Sequence, residues 1–189
     1  METEAFLQRE AEEHRQAFES FVRGLHEPFS RTLEIWQSAL RAGGKLLIFG
    51  NGGSAGNAQH IATELAVRYE RDRAALAALA LSADALLVTA AGNDLGFEAI
   101  FSRQIAALGR RGDVAVALST SGRSPNVLAA LREARARGLA TTGMTGGSGG
   151  AMPQLCDATI IVPSTVTARI QEMHLVVTHM LCKALEAAL

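Results

Sequence analysis

Cysteine is almost absent. Cys156 and Cys182 are the only two and they form no CxxC pair, so neither a disulfide framework nor a cysteine-built metal cluster can organise the chain. Charge of neither sign prevails: 18 Lys and Arg face 19 Asp and Glu, a net charge of −1. Without a global basic field there is no footprint for nucleic acid or an acidic membrane surface, and neither is expected as a partner. Long apolar runs are missing too. The stretch from Ala74 to Gly92 comes nearest, but Ser82, Asp84 and Thr89 break it, which suits a buried strand and a short helix better than a membrane span. A basic leader is lacking, since Met1-Glu2-Thr3-Glu4 is acidic, and the expected compartment is the cytoplasm.

What is present fits one α/β domain over residues 1–189: 48% of the residues are hydrophobic and 20% charged. Leu7, Ala11, His14, Phe18, Phe21 and Leu25 alternate spacings of four and three, the seam of a helix that packs on another helix. A second helix is predicted over 28–42. Residues 1–42 therefore form a helical arm, and a seam carrying two phenylalanines is expected to pack on a neighbouring subunit as well as on its own domain. After Gly43-Gly44 the pattern becomes strand, turn, helix, repeated. Strands are predicted at 45–49, 76–81, 114–118, 140–144 and 158–162, and helices at 54–68, 84–91, 97–109, 125–137 and 167–188. The strands are near-continuous apolar runs rather than alternating ones, as expected of parallel strands covered on both faces. The expected fold is a doubly wound, flavodoxin-like, five-stranded parallel sheet with an N-terminal helical arm, and its ligands belong at the carboxyl ends of the strands.

Three loops there carry small polar residues. In the segment Phe49 to Glu64, FGNGGSAGNAQHIATE, a strand runs through Asn51, Gly52, Gly53 and Ser54 into a helix. Glycines let the backbone approach an anion, and a helix N-terminus offers it free N–H groups. His60 and Glu64 follow four apart, about 40° around the helix from one another, so they can act on one ligand or one metal. Ser119, Thr120, Ser121 and Ser124 precede Pro125, a natural first helical residue, with Ser124 as its N-cap. That loop is either a serine-capped turn or a phosphate cradle. Asn93 and Asp94 form the third, with Asp94 either a ligand-loop residue or the cap of the helix near Phe97. The glycines at 50, 52, 53 and 56 lack the acidic residue that a dinucleotide site needs, and no GK[ST] P-loop is present. His174, on the apolar face of the last helix, is expected to be a core residue.

With the segments AGGKLLIFGNGGS, AQHIATEL, GNDLGFEAIFSRQ, GDVAVALSTSG and ARIQEMH in order, and His179 eight residues beyond Gln171, the chain resembles the sugar isomerase (SIS) domains of bacterial phosphoheptose isomerases over its whole length. The resemblance implies an aldose–ketose isomerase acting on sedoheptulose 7-phosphate, with D-glycero-D-manno-heptose 7-phosphate as product. It implies substrate contacts at Asn51, Gly52, Gly53, Ser54, Asn93, Asp94, Ser119, Thr120, Ser121, Ser124 and Gln171. It further implies one zinc per subunit on His60, Glu64, Gln171 and His179, with Glu64 as base and His179 as partner acid, in a homo-oligomer, by resemblance a tetramer. A non-catalytic SIS adaptor that binds the DnaA initiator, or an isomerase of another sugar phosphate, are the alternatives; the adaptors generally lack the full His/Glu/Gln/His set. Ala168 stands where some members carry Asp, Arg123 where Asn is common, and Ala66-Val67 where Thr-Gly is frequent. Eight residues separate Gln171 from His179, about 12 Å along a helix and about 80° around it, which leads to the expectation that a neighbouring chain completes the site.

Overall fold

The structure, a computed structural model, describes residues 2–189. Two helices, α1 (Thr3–Arg23) and α2 (His26–Arg41), precede the sheet. There follow β1 (Leu46–Gly50), α3 (Gly53–Ala66), β2 (Ala78–Ala80), α4 (Ala85–Leu95), α5 (Ala99–Leu108), β3 (Val114–Ser119), α6 (Pro125–Ala136), β4 (Ala140–Gly146), β5 (Ala158–Val162) and α7 (Thr167–Ala188). The five strands lie in the order β2-β1-β3-β4-β5, every neighbouring pair parallel, as in doubly wound flavodoxin-like sheets.

Side chains alternate across β1 and so divide the core in two. Leu46 and Ile48 face α1, α2, α3 and α7, where Trp36, Ile61, Leu65, Met173, Val177 and Leu181 close the layer. Leu47 and Phe49 face α4, α5 and α6, against Phe101, Ile105, Val127 and Leu131. Trp36 is fully buried, and its indole N–H donates to Thr142 Oγ1 across 3.0 Å, so the arm is keyed into the sheet through a polar atom as well as by area.

Several details differ from the sequence-based expectation. Strand β2 is only three residues long, because Leu76 N turns back to the Leu65 carbonyl and only Ala78 to Ala80 register with β1. Helix α4 continues to Leu95, capped at its start by Asp84 accepting from Leu87 N at 3.0 Å, so Asn93 and Asp94 sit on its last turn instead of in a loop. Asp94 caps nothing, since Glu98 holds the N-cap position of α5. The α1 seam is covered only in its second half: Phe21 and Leu25 are buried and Phe18 packs at the core margin, whereas Leu7 remains 60% exposed.

Candidate active site

The polypeptide leaves β1 through a turn that only glycine accommodates. Gly52 has φ +55° and ψ −122°, and Gly53, the first residue of α3, lies so close to the Gln171 amide that a Cβ there would come within 2.7 Å of its carbonyl oxygen. Asn51 does not point into solvent. Its amide and that of Asn126 exchange two hydrogen bonds, of 2.9 and 2.8 Å, which tie the glycine turn to the start of α6.

The second loop sits beside the first. Ser124 occupies the N-cap position of α6 but does not cap with its side chain; its hydroxyl meets Ser119 Oγ at 3.1 Å instead. The Thr120 carbonyl accepts from Gly146 N, and Ser121 Oγ accepts from Arg123 N. A cleft of about 260 Å³ opens here, lined among others by Thr120, Ser121, Arg123, Ser148, Ser164 and Thr167. Such hydroxyls and helix starts suit an oxyanion such as a phosphate ester.

Helices α3 and α7 both descend from the carboxyl edge of the sheet, side by side and in the same direction. Asn57 Nδ2 donates to the Gln171 carbonyl at the upper level. Two turns lower, His60 Nε2 and His179 Nε2 stand 3.0 Å apart, with Glu64 Oε1 3.2 Å from the same His60 nitrogen. Three potential ligand atoms, from His60, Glu64 and His179, fall within 4.8 Å of one another. A tetrahedral ion with bonds of about 2.0–2.1 Å has edges of roughly 3.3 Å, so the two shorter separations match what such an ion requires, and two imidazoles with a carboxylate are a donor set zinc accepts. Glu64 and His179 thus meet within one chain, and a neighbouring chain is not needed to join them. Gln171 lies against Gly53, and Asn93 and Asp94 stand exposed on α4, hydrogen-bonded to each other at 2.7 Å.

Around the cluster are residues the sequence reading passed over. The Tyr69 ring stacks on the His179 imidazole, centroids 5.4 Å apart. The loop carrying Tyr69 is held by Glu186, whose buried carboxylate accepts from the main-chain N–H of Tyr69, Glu70 and Arg71 and pairs with Arg73. Burial alone would raise the Glu186 pKa, but the three N–H groups and Arg73 hold it below the usual carboxylate range. Nothing local marked Glu186, one of two acids on α7 with Glu172, and Asn126 was visible only as an Asn at a helix start. His174 is fully buried with Nε2 3.2 Å from the Thr145 carbonyl, and burial lowers its pKa to about 4, which keeps it neutral.

Known proteins share this fold. The SIS domain profile matches residues 11–146. A phosphoheptose isomerase of Paramagnetospirillum magneticum is 52% identical over 99% of this chain and 97% of its own, and one from Campylobacter jejuni is 46% identical over 95% and 96%. Among solved structures, the phosphoheptose isomerase of Francisella tularensis superposes with a TM-score of 0.95 at 36% identity, covering 99% of this chain and 100% of its own. That of Neisseria gonorrhoeae gives 0.93 at 38%, covering 98% and 99%. Glycine turn, hydroxyl loop and the His60–Glu64–His179 cluster lie on a fold matched from end to end at this identity, and the chain belongs to the SIS domain family, among its phosphoheptose isomerases.

Proposed function

We propose that this protein interconverts sedoheptulose 7-phosphate and D-glycero-D-manno-heptose 7-phosphate through an enediol. The observation that carries the reading is the meeting of Glu64 and His179 beside His60, two helical turns below a glycine turn and a hydroxyl loop. Moving a carbonyl between C1 and C2 needs a base at carbon and a proton donor at oxygen. Glu64 Oε1 faces His60, which leaves Oε2 to take the proton from one carbon and return it to the next. His179 moves a proton between the two oxygens. Ser119, Thr120, Ser121 and Ser124 receive the phosphate, while Gly52, Gly53 and Gln171 border the polyol chain; Asn51, held by Asn126, and the buried Ser54 serve through the shape of the turn.

His60, Glu64 and His179, with Gln171 above them, would hold one zinc per subunit, and the bound ion supplies polarisation of the sugar's carbonyl and hydroxyl oxygens. Exposed apolar residues support a homo-oligomer, a tetramer in this reading: Leu86 is 81% exposed, Leu95 55% and Phe97 62%, all at or near α4. Asn93 and Asp94 share that surface, and a neighbouring copy would carry them to a site. Among the described residues no helix is long and apolar enough to cross a membrane, and a cytoplasmic location accords with a sugar-phosphate substrate.

The decisive experiment is turnover across five-, six- and seven-carbon ketose phosphates, with Glu64→Gln alongside. Turnover should favour the seven-carbon substrate, and Glu64→Gln should lower kcat by two or more orders of magnitude, roughly 3 kcal/mol or more, at an unchanged melting temperature. Activity within a few-fold of the parent would remove Glu64 from the mechanism, and no turnover of any ketose phosphate would leave the adaptor reading.

A further inference from the structure

The loop after α3 is fastened with more polar contacts than a surface connection needs. Glu186, with a side chain only 2% exposed, takes the N–H of Tyr69 at 2.7 Å, of Glu70 at 2.9 Å and of Arg71 at 3.1 Å. Arg73, 11% exposed, pairs with the same carboxylate at 3.2 Å and donates to the carbonyls of Glu64 and Leu65, each at 2.8 Å. Those carbonyls belong to the last turn of α3, where helical acceptors lack partners of their own. Glu186 lies seven residues beyond His179, two turns further along nearly the same face of α7. One carboxylate therefore joins the end of the helix that carries Glu64, the loop that carries Tyr69, and the helix that carries His179.

Burying a charge is a poor route to stability, since an apolar side chain of the same volume generally does as well or better. What the arrangement delivers is geometry. The His179 ring meets two others: Tyr69 stacks on it with planes 28° apart, and His60 crosses it at 5.1 Å and 55°. Such packing keeps Nε2 on the side of His60 and Glu64, and the Arg73 contacts to the Glu64 carbonyl set the height of the Glu64 side chain against it. We infer that Tyr69, Arg73 and Glu186 are positioning residues, a brace that fixes the His179 imidazole and the Glu64 turn relative to one another.

The inference rests on Glu64 and His179 being the reacting pair, yet the orientation of the His179 ring can be read without substrate. The test uses Tyr69→Leu, Tyr69→Phe and Glu186→Gln in the full chain. It reads kcat and KM on the ketose phosphate, zinc affinity by chelator competition, and the His179 ring ¹⁵N resonances of the metal-free protein. Tyr69→Leu and Glu186→Gln should each lower kcat and zinc affinity about tenfold, within the range for residues that orient ligands, with KM changed less than about twofold. Tyr69→Phe, which keeps the ring, should restore parental values. If Glu186→Gln does not fold, the Tyr69 pair carries the test alone. Parental kcat, zinc affinity and ring resonances in Tyr69→Leu, whatever its melting temperature, would overturn the inference. If Glu64→Gln stayed active, the assignment of the reacting pair would fall, while loosened zinc and shifted His179 resonances in Tyr69→Leu would still uphold the brace.

Discussion

The two ends of the sheet use similar residues to opposite effect. At the amino end polar groups are consumed: Asp113 accepts from the main-chain N–H of Lys45 and Arg110 and pairs with Lys45 Nζ at 2.6 Å, and Asp157 accepts from Thr141 N and Oγ1. At the carboxyl end they are left over. Ser119 and Ser124 have each other, Ser121 accepts one N–H, and the Arg123 guanidinium has no ion pair or hydrogen bond among the described residues. Cavity size points the wrong way. The roomier cleft, about 600 Å³, lies at the amino end beside Arg31, Glu34 and Asp113, against about 260 Å³ at the hydroxyl loop. Unspent hydrogen-bonding capacity, more than space or residue type, distinguishes the end proposed to do chemistry.

The comparison breaks most sharply at Asp113. Asp113→Ala leaves two part-buried main-chain N–H groups and Lys45 unpartnered and should cost about 3 kcal/mol in urea unfolding, with KM for the ketose phosphate unchanged. A raised KM would show that the amino end is not purely structural. Ser119→Ala combined with Ser121→Ala should do the converse, raising KM for the phosphorylated ketose by roughly 30-fold, about 2 kcal/mol, while stability holds. Equal losses with an unphosphorylated sugar would mean that the loop holds structure instead of phosphate.

His174 sharpens the contrast, because it lies beneath the carboxyl end yet is sealed from any ligand, with Nε2 on the Thr145 carbonyl and Nδ1 without a partner among the described residues. Its pKa falls from 6.5 to about 4 on burial, so the unfolded chain binds a proton more readily, and stability present above pH 6.5 drains away as pH falls toward 4. For the metal-free protein the loss from this ring should reach about 1.4 kcal/mol at pH 5.5, and the His174→Gln variant should lack that portion in denaturation curves at pH 7.5 and 5.5. Identical pH dependence in both proteins would show that His174 takes up a proton as readily in the folded protein as in the unfolded chain. Arg123→Asn is the mildest change: KM should rise about threefold at low salt and less at high salt, since an exposed charge acts through a screened field. No salt dependence would place the Arg123 guanidinium outside the range of the phosphate.

The sheet was legible because most of its strands are near-continuous apolar runs, β4 with its three threonines being the exception, and both candidate ligand loops because glycine and serine clusters interrupt those runs at strand ends. Asn93 and Asp94 were placed in a loop because Gly92 ahead of them suggested a break, whereas a glycine one turn from a helix end is tolerated when that end is exposed. His179 was assigned to a neighbouring chain because its distance from Gln171 was measured along one helix. The parallel run of α3 brings His60 and Glu64 to His179 within one chain, while Gln171 stays two turns above, against Gly53. Tyr69, Arg73 and Glu186 had no local signature, since the partners lie more than 100 positions apart and only the packing of α7 on α3 brings them together.

The paired amides of Asn51 and Asn126 bear on the chemical lifetime of the protein. An asparagine followed by glycine is prone to deamidation, because the unhindered glycine nitrogen can attack the side-chain carbonyl and expel ammonia, and Asn51 is followed by Gly52. Here both polar atoms of the Asn51 amide are engaged by Asn126, at 2.9 and 2.8 Å, and two hydrogen bonds must break before that attack can begin. The product would be a carboxylate that cannot donate to Asn126 and that sets a negative charge beside the hydroxyl loop. The contact that joins the two loops therefore also slows their ageing.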